Sequence, residues 1–161
     1  MKKIKKIKYI ISAILVILLL NQTLCVWGAE DEWYSLHEVN ETQEIREKDL
    51  GNMEIVPYAR YIMGTSATIK RPSSNVIWMR CEVYCTETMS KITTVFTLQK
   101  KVGNSWVDVG QGTVSETNTN SMYKTMEATG VSSGTYRCVT NTQVISKTGY
   151  SETSSAISGV V

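Results

Sequence analysis

The side chains able to attack, ionise, ligate or stack are few in this chain of 161 residues. There is one histidine, His37, and there are four cysteines, Cys25, Cys81, Cys85 and Cys138. Nucleophilic catalysis needs a nucleophile with a base in hydrogen-bond reach, the base itself held by a third group. Residues 57–161 contain no histidine, so no Ser-His-Asp or Cys-His arrangement can be assembled there. Zinc would need four Cys/His ligands or three plus water, and His37 with Cys81, Cys85 and Cys138 shows no such spacing. No glycine-rich strand-to-helix phosphate loop occurs either. The expectation is therefore no catalytic residue, no metal and no cofactor. The acids after residue 57 (Glu82, Glu87, Asp108, Glu116, Glu127 and Glu152) are scattered, and a glycosidase pair would have to come from them. Aromatic rings are the remaining resource. Trp78, Tyr84 and Trp106 are the candidate ligand contacts, with Tyr123 and Tyr150 as further rings. Trp78 and Tyr84 share one face of a strand but lie six residues, ~20 Å, apart, too far for a single small-sugar platform. Trp106 reads first as a hairpin packing residue.

These side chains must be positioned, and the charge pattern shows where. The formal net charge of +2 averages over three zones. Residues 1–29 hold five lysines and no acid, residues 30–56 nine acids against Arg46 and Lys48, and residues 57–161 ten bases against six acids. The positive start (Lys2, Lys3, Lys5, Lys6, Lys8), the aliphatic run Ile10 to Leu20, and the small residues Gly28 and Ala29 follow the layout of a secretory signal peptide. Eleven apolar residues rise only ~16 Å as a helix, about half a hydrocarbon core, so cleavage near Ala29 is expected rather than a stable membrane anchor. Leu24 before Cys25 is too large for lipoprotein processing. The expected location is extracellular.

Residues 30–56 read as an acidic spacer or pro-segment. Trp33, Leu36 and Val39 give weak helical periodicity, and so few apolar residues cannot bury enough surface to order the stretch. His37 falls in it and is expected to be exposed without a role.

From residue 57 the chain reads as all-β: short alternating strands between Gly, Ser, Asn and Thr clusters. The expected strands are Tyr61 to Lys70, Val76 to Thr86, Lys91 to Lys101, Trp106 to Val109, Met122 to Thr129, one through Tyr136 and Cys138, and Tyr150 to Ser158. In the second, Ile77, Met79, Cys81, Val83 and Cys85 occupy the odd positions and should face the core. In the third, Ile92, Phe96 and Leu98 should face inward, with Lys91, Thr93, Thr97 and Gln99 outward. Val102-Gly103-Asn104-Ser105 marks a hairpin turn, and Gly110 with Gly112 a bulge. The fold class is a single antiparallel sandwich of about seven strands. Its excess of four positive charges is spread over strands rather than gathered on one face, which argues against nucleic acid.

Gly134-Thr135-Tyr136-Arg137-Cys138, with the cysteine-bearing second strand, resembles an immunoglobulin-like sandwich, where a tyrosine two residues before a cysteine caps a loop. Phe96 stands nearest to the tryptophan of that family's third strand. Over nearly its whole length the chain resembles a group of small exported proteins of unknown function from Gram-positive, clostridia-like bacteria. The likeness rests on the hairpin Leu98 to Lys101 with Gly103 to Trp106, and on the late Gly134 to Arg137 strand; it implies no activity. Cys81 and Cys85, four apart on one strand, are ~13 Å apart and cannot bridge each other. The immunoglobulin-like layout implies a Cys81–Cys138 disulfide, by strand depth, with Cys85 left as a buried thiol or an intermolecular link in an otherwise monomeric protein.

Together these features point to an exported, non-enzymatic module that binds an extracellular protein or a cell-wall or host glycan. A secreted antagonistic or toxin-like effector is the alternative, and a glycan-active enzyme the third reading.

Overall fold

A computed structural model describes residues 32–40, 54–55 and 59–161. The expected signal peptide, its cleavage site and most of the acidic stretch lie outside the described residues. Among the described residues there are seven strands: β1 (Tyr34–Val39), β2 (Glu54–Ile55), β3 (Ile62–Ser73), β4 (Val76–Val102), β5 (Ser105–Thr129), β6 (Tyr136–Ile145) and β7 (Ser151–Val160). No helix occurs among the described residues.

The all-β antiparallel sandwich is as expected, but its strands are divided differently. Val76 to Thr86 and Lys91 to Lys101 are one strand of 27 residues, and Trp106 to Val109 is continuous with Met122 to Thr129 in a strand of 25. Thr86 to Ser90 in the first join and Thr117 to Ser121 in the second contain no Gly or Pro, and the Thr- and Ser-rich chain bends through irregularities instead of reversing. In β4 the register slips between Tyr84 and Met89. In β5 the corner falls at Asn118, which takes φ +53°, and Thr119 Oγ1 bonds both the amide and the carbonyl of Ser121. Each long strand therefore serves both layers. In one layer the first half of β4 lies between β3 and the second half of β5, with β2 outside β3. In the other, the second half of β4 lies between the first half of β5 and β6, with β7 outermost.

Alternation dictates what fills the space between the layers. Ile77, Met79, Cys81, Val83 and Cys85 are all buried, as are Ile92, Phe96 and Leu98 from the other half of the same strand. The Cys81 thiol bonds the Thr94 side chain, so the two halves of β4 meet across the core. Between Leu98 and Gln99 the register slips by one residue, skipping Val109, which places the expected bulge beside Gly110. Gly103 has φ +59°, the positive φ that a two-residue hairpin asks of glycine at its first central position.

The stretch read as a poorly ordered spacer contributes β1. Tyr34 and Ser35 run parallel to Gly110 and Gln111, and Leu36 to Val39 then lie against Ala128 to Thr125, so this strand spans both layers. Gly110 and Gly112 make room for it. A Cβ on Gly110 would come within 2.8 Å of the Tyr34 carbonyl oxygen, and one on Gly112 within 3.0 Å of Leu36 Cβ. Tyr34 and Leu36 pack against the core, and Lys124 Nζ reaches Glu38 at 2.7 Å and Glu116 at 2.8 Å. Trp33 to Val161 forms one compact unit, which thus begins well before residue 57. Apolar content alone underrates such a segment, because glycines some seventy residues later supply its seat.

At the pole formed by residues 130–135, the Tyr136 hydroxyl donates to the Ser132 carbonyl at 3.2 Å, the tyrosine-corner contact of immunoglobulin-like sandwiches. Two cations flank that buried ring, Arg71 at 5.5 Å and Lys100 at 5.8 Å from its centroid. Arg71 also donates to the Ser132 carbonyl at 2.7 Å, and the Ser132 amide donates to the Tyr34 hydroxyl at 3.1 Å. The corner joins β1, β3, β4 and β6 at one loop.

Candidate functional site

Trp78 and Tyr84 lie on the outward face of β4, opposite Glu127 and Ser121 of β5. Each is engaged within the protein. Trp78 Nε1 donates to Glu127 Oε2 at 2.7 Å, and the Tyr84 ring meets Tyr123 edge-on at 5.5 Å between centroids. Arg80 and Glu82 occupy the positions between them, 3.9 Å apart and only 7% and 9% exposed. Burial, then the charge of Glu82, pushes the Tyr84 phenol above its ordinary value. A ligand on this face would meet Tyr123, 45% exposed, before it met the row between Trp78 and Tyr84.

Trp106 is in the other layer, and the structure does not bring it together with that pair. It opens β5 directly after the hairpin turn, opposite Lys101. Gln99 of β4 lies opposite Asp108 on one side and Arg137 of β6 on the other, and Arg137 lies opposite Val160 of β7. This register builds a relay across three strands. Arg137 Nε donates to Gln99 Oε1 at 2.7 Å, and Gln99 Nε2 donates to Asp108 Oδ1 at 2.7 Å. The Arg137 guanidinium carbon sits 4.4 Å from the centre of the Trp106 ring, within cation–π range. Its two terminal nitrogens make no hydrogen bond among the described residues. Ile157 and Val160 of β7 add exposed apolar surface at 58% and 61%. Along the strands the same face continues as uncharged polar side chains, including Thr93, Asn141, Gln143 and Ser155.

An arginine oriented by a hydrogen bond and stacked on tryptophan is a rigid donor beside an apolar edge. Trp and Arg are also the residue types that most often anchor protein interfaces. The arrangement can recognise, and its one carboxylate, Asp108, accepts from the Gln99 amide. Sequence reading had Trp106 but not Arg137, whose Gly-x-Tyr-Arg setting reads as architecture. The missing signal is the register that puts Gln99 opposite both Asp108 and Arg137.

The cysteines differ from expectation. Cys81, Cys85 and Cys138 are free, buried thiols, and the Cys81–Cys138 disulfide is not formed in this structure. Burial pushes the Cys81 thiol up to about 12, against hydrogen bonds to Thr94 and the Lys124 backbone that favour the thiolate. Cys138 is pushed up by burial and then by Cys81, so these two are core neighbours. Cys85 is raised to about 11 by burial and then by the charge of Glu152. His37 is exposed on β1, at the register position of Glu127. Among the described residues, no group of three His, Cys, Asp or Glu could hold a metal ion. None of those residues forms a helix long and apolar enough to cross a membrane.

No family model matches the chain, and no curated protein matches it. Among solved structures it is similar to the collagen-binding subdomain of the Enterococcus faecalis surface protein ACE. That match has 7% identity over 63% of this chain and 97% of the other, with a TM-score of 0.35. A likeness so distant carries no argument about ligand or partner, and the sandwich rests on its own strand pairing.

Proposed function

We propose that the chain is an exported, non-enzymatic binding module that engages an extracellular protein through the outer face of β4, β5, β6 and β7, with Trp106 and Arg137 as its anchor. The observation that supports this is the Arg137–Trp106 stack with its Gln99–Asp108 relay, beside exposed Ile157 and Val160. A protein partner suits it better than a glycan. Sugar rings stack on an open aromatic face, and one face of Trp106 already carries the guanidinium. Residues 1–29 act as the signal peptide in this reading, so the protein in the medium begins at Glu30, or at Ala29 where cleavage follows Gly28.

The test is comparative capture from the producing culture and its neighbours. Bait lacking residues 1–29 is compared with Arg137→Ala, Trp106→Ala and a Trp78→Phe control on the other layer. A partner held by the parent and the control but lost from both anchor variants, with unchanged β-sheet circular dichroism, supports the proposal. Equal capture by all four baits would refute the site. Export is checked separately by N-terminal sequencing of the secreted protein, and an intact Met1 in the membrane fraction would refute it.

A further inference from the structure

The β6–β7 turn lies at the other end of the same sheet, about 27 Å along β6 from Arg137 at strand rise. There Arg60, just before β3, lies against two tyrosines. Its guanidinium carbon is 5.1 Å from the Tyr61 ring centroid and 5.6 Å from that of Tyr150, and the two rings are 5.5 Å apart, tilted by 51°. Both distances fall within cation–π range.

The cluster is fixed at every root. The Arg60 amide donates to Glu152 Oε1 at 2.9 Å, and its carbonyl accepts from Thr86 Oγ1 at 3.3 Å. The Tyr150 amide donates to Ser146 Oγ at 3.0 Å, and its carbonyl accepts from the Ser146 amide at 2.8 Å. Tyr61 is buried, 6% exposed, and its amide donates to Glu152 Oε2 at 2.7 Å. Arg60 itself is exposed, and its guanidinium has neither a hydrogen-bond nor an ion-pair partner among the described residues. Glu152 contacts this segment, but through backbone amides: those of Arg60, Tyr61 and Ile62 all donate to its carboxylate.

A guanidinium held on ring faces, with its planar fork unused, is preorganised for one oxoanion taken bidentately. Side-chain ordering is a main cost of forming such a contact, and here much of it is already met. The number of cations narrows the ligand. Among the described residues, Lys147 is the cation of the β6–β7 turn, and Lys91 lies opposite Ile145 at its foot. Cations set singly on three different segments suit a single anionic group, whereas a polyanionic chain needs a row of them along its length. Tyr150, 49% exposed, gives a ring edge against which a short aliphatic stem can lie.

We infer that Arg60, braced by Tyr61 and Tyr150, is a docking point for a single carboxylate, the Asp or Glu side chain of a protein partner. The inference does not depend on the Trp106–Arg137 face and can fail or stand without it.

The test is a nuclear magnetic resonance titration of the chain lacking residues 1–29, read at the Arg60 Nε–H and the Tyr150 ring. The probes are end-blocked glutamate, end-blocked glutamine and a heparin fragment. Expected are saturable shifts with glutamate and none with glutamine. The glutamate response should vanish in Arg60→Gln and weaken about fivefold or more in Arg60→Lys, which keeps the charge but loses the fork. Tyr150→Leu, which removes a bracing ring and leaves the main-chain tethers, should weaken it as well. Absence of a saturable shift, or a response that persists in Arg60→Gln, would overturn the inference. Heparin binding tenfold tighter than glutamate at the same resonances would also overturn it, by showing a polyanion site.

Discussion

Replacing Glu152 with alanine removes one carboxylate on which three consecutive amides converge, those of Arg60 at 2.9 Å, Tyr61 at 2.7 Å and Ile62 at 3.2 Å. The cost depends on which of these donors can return to water. Arg60 is exposed and its amide rehydrates, but Tyr61 and Ile62 are 6% and 1% exposed. A buried donor left without an acceptor costs about 1–3 kcal/mol, so two cost about 2–6 kcal/mol. Glu152→Gln keeps one carbonyl oxygen and loses the charge assistance, for a smaller loss of about 1–2 kcal/mol. In urea, with a slope of about 1–3 kcal/mol per molar, a 3 kcal/mol loss lowers the midpoint by about 1–3 M. Cys85 gives a second readout. Its thiol is held at about 11 by burial first and by the Glu152 charge second. Neutralising the acid removes only the second cause, so the thiol should ionise more readily while staying above its ordinary value. Iodoacetamide labelling of Cys85 at pH 9–10 should therefore be faster in Glu152→Gln than in the parent. An alanine variant within about 0.5 kcal/mol of the parent, with unchanged labelling in the glutamine variant, would show that this carboxylate does not hold residues 60–62.

Gly110→Ala puts a Cβ 2.8 Å from the Tyr34 carbonyl and should cost about 1–3 kcal/mol by pushing β1 off, but nothing in a chain starting at residue 57; equal losses in both chains would be contrary. That shorter chain should keep its β-sheet circular dichroism yet lose about 2–4 kcal/mol with the Tyr34–Ser132 bond and the packing of Leu36. Tyr136→Phe removes the hydroxyl from the Ser132 carbonyl and from Ser132 Oγ, for a loss of about 1–3 kcal/mol in urea unfolding. Burial raises all three thiols in the folded state, so above pH 9 the unfolded chain releases protons that the folded one keeps, and stability falls as pH rises. Three free thiols contribute about 4 kcal/mol per pH unit to that slope up to about pH 11, where Cys85 also ionises in the folded protein, and Tyr84, Tyr136 and Lys124, which are raised too, add to it with or without a bridge; a Cys81–Cys138 bridge would remove about 2.7 of the thiol contribution, so unfolding between pH 9 and 11 with and without reductant separates the two states.

Elements whose cause is local could be read from the chain. Ile77 to Cys85 alternate because each residue's face follows from its parity, and Tyr136 reaches Ser132 because the two are four residues apart. The hairpin at Gly103 is likewise a matter of neighbours. The long strands are not legible as single strands, because a run such as Thr86 to Ser90 has the composition of a loop. The structure bends at that corner while Met89 stays fully buried.

What escaped reading depends on pairings between distant residues. Seen alone, β1 is a hexapeptide within an acidic stretch, with Tyr34 and Leu36 as its core-packing side chains, and it forms a strand because Gly110 and Gly112 leave a channel. Arg137 becomes an anchor rather than a strand residue only because a register 38 residues long brings Gln99 beside it. Arg60 is more distant still, its amide bonded to Glu152 across 92 residues, so nothing near either residue announces the cluster. Alternation assigns a side chain to a face; the neighbour it meets there follows from register, and a slip of one residue would turn it to the opposite side. Both arginines depend on that register. A one-residue shift of β6 against β4 would part Arg137 from Gln99, and a shift of β7 against β6 would carry Glu152 away from the amides that fix Arg60.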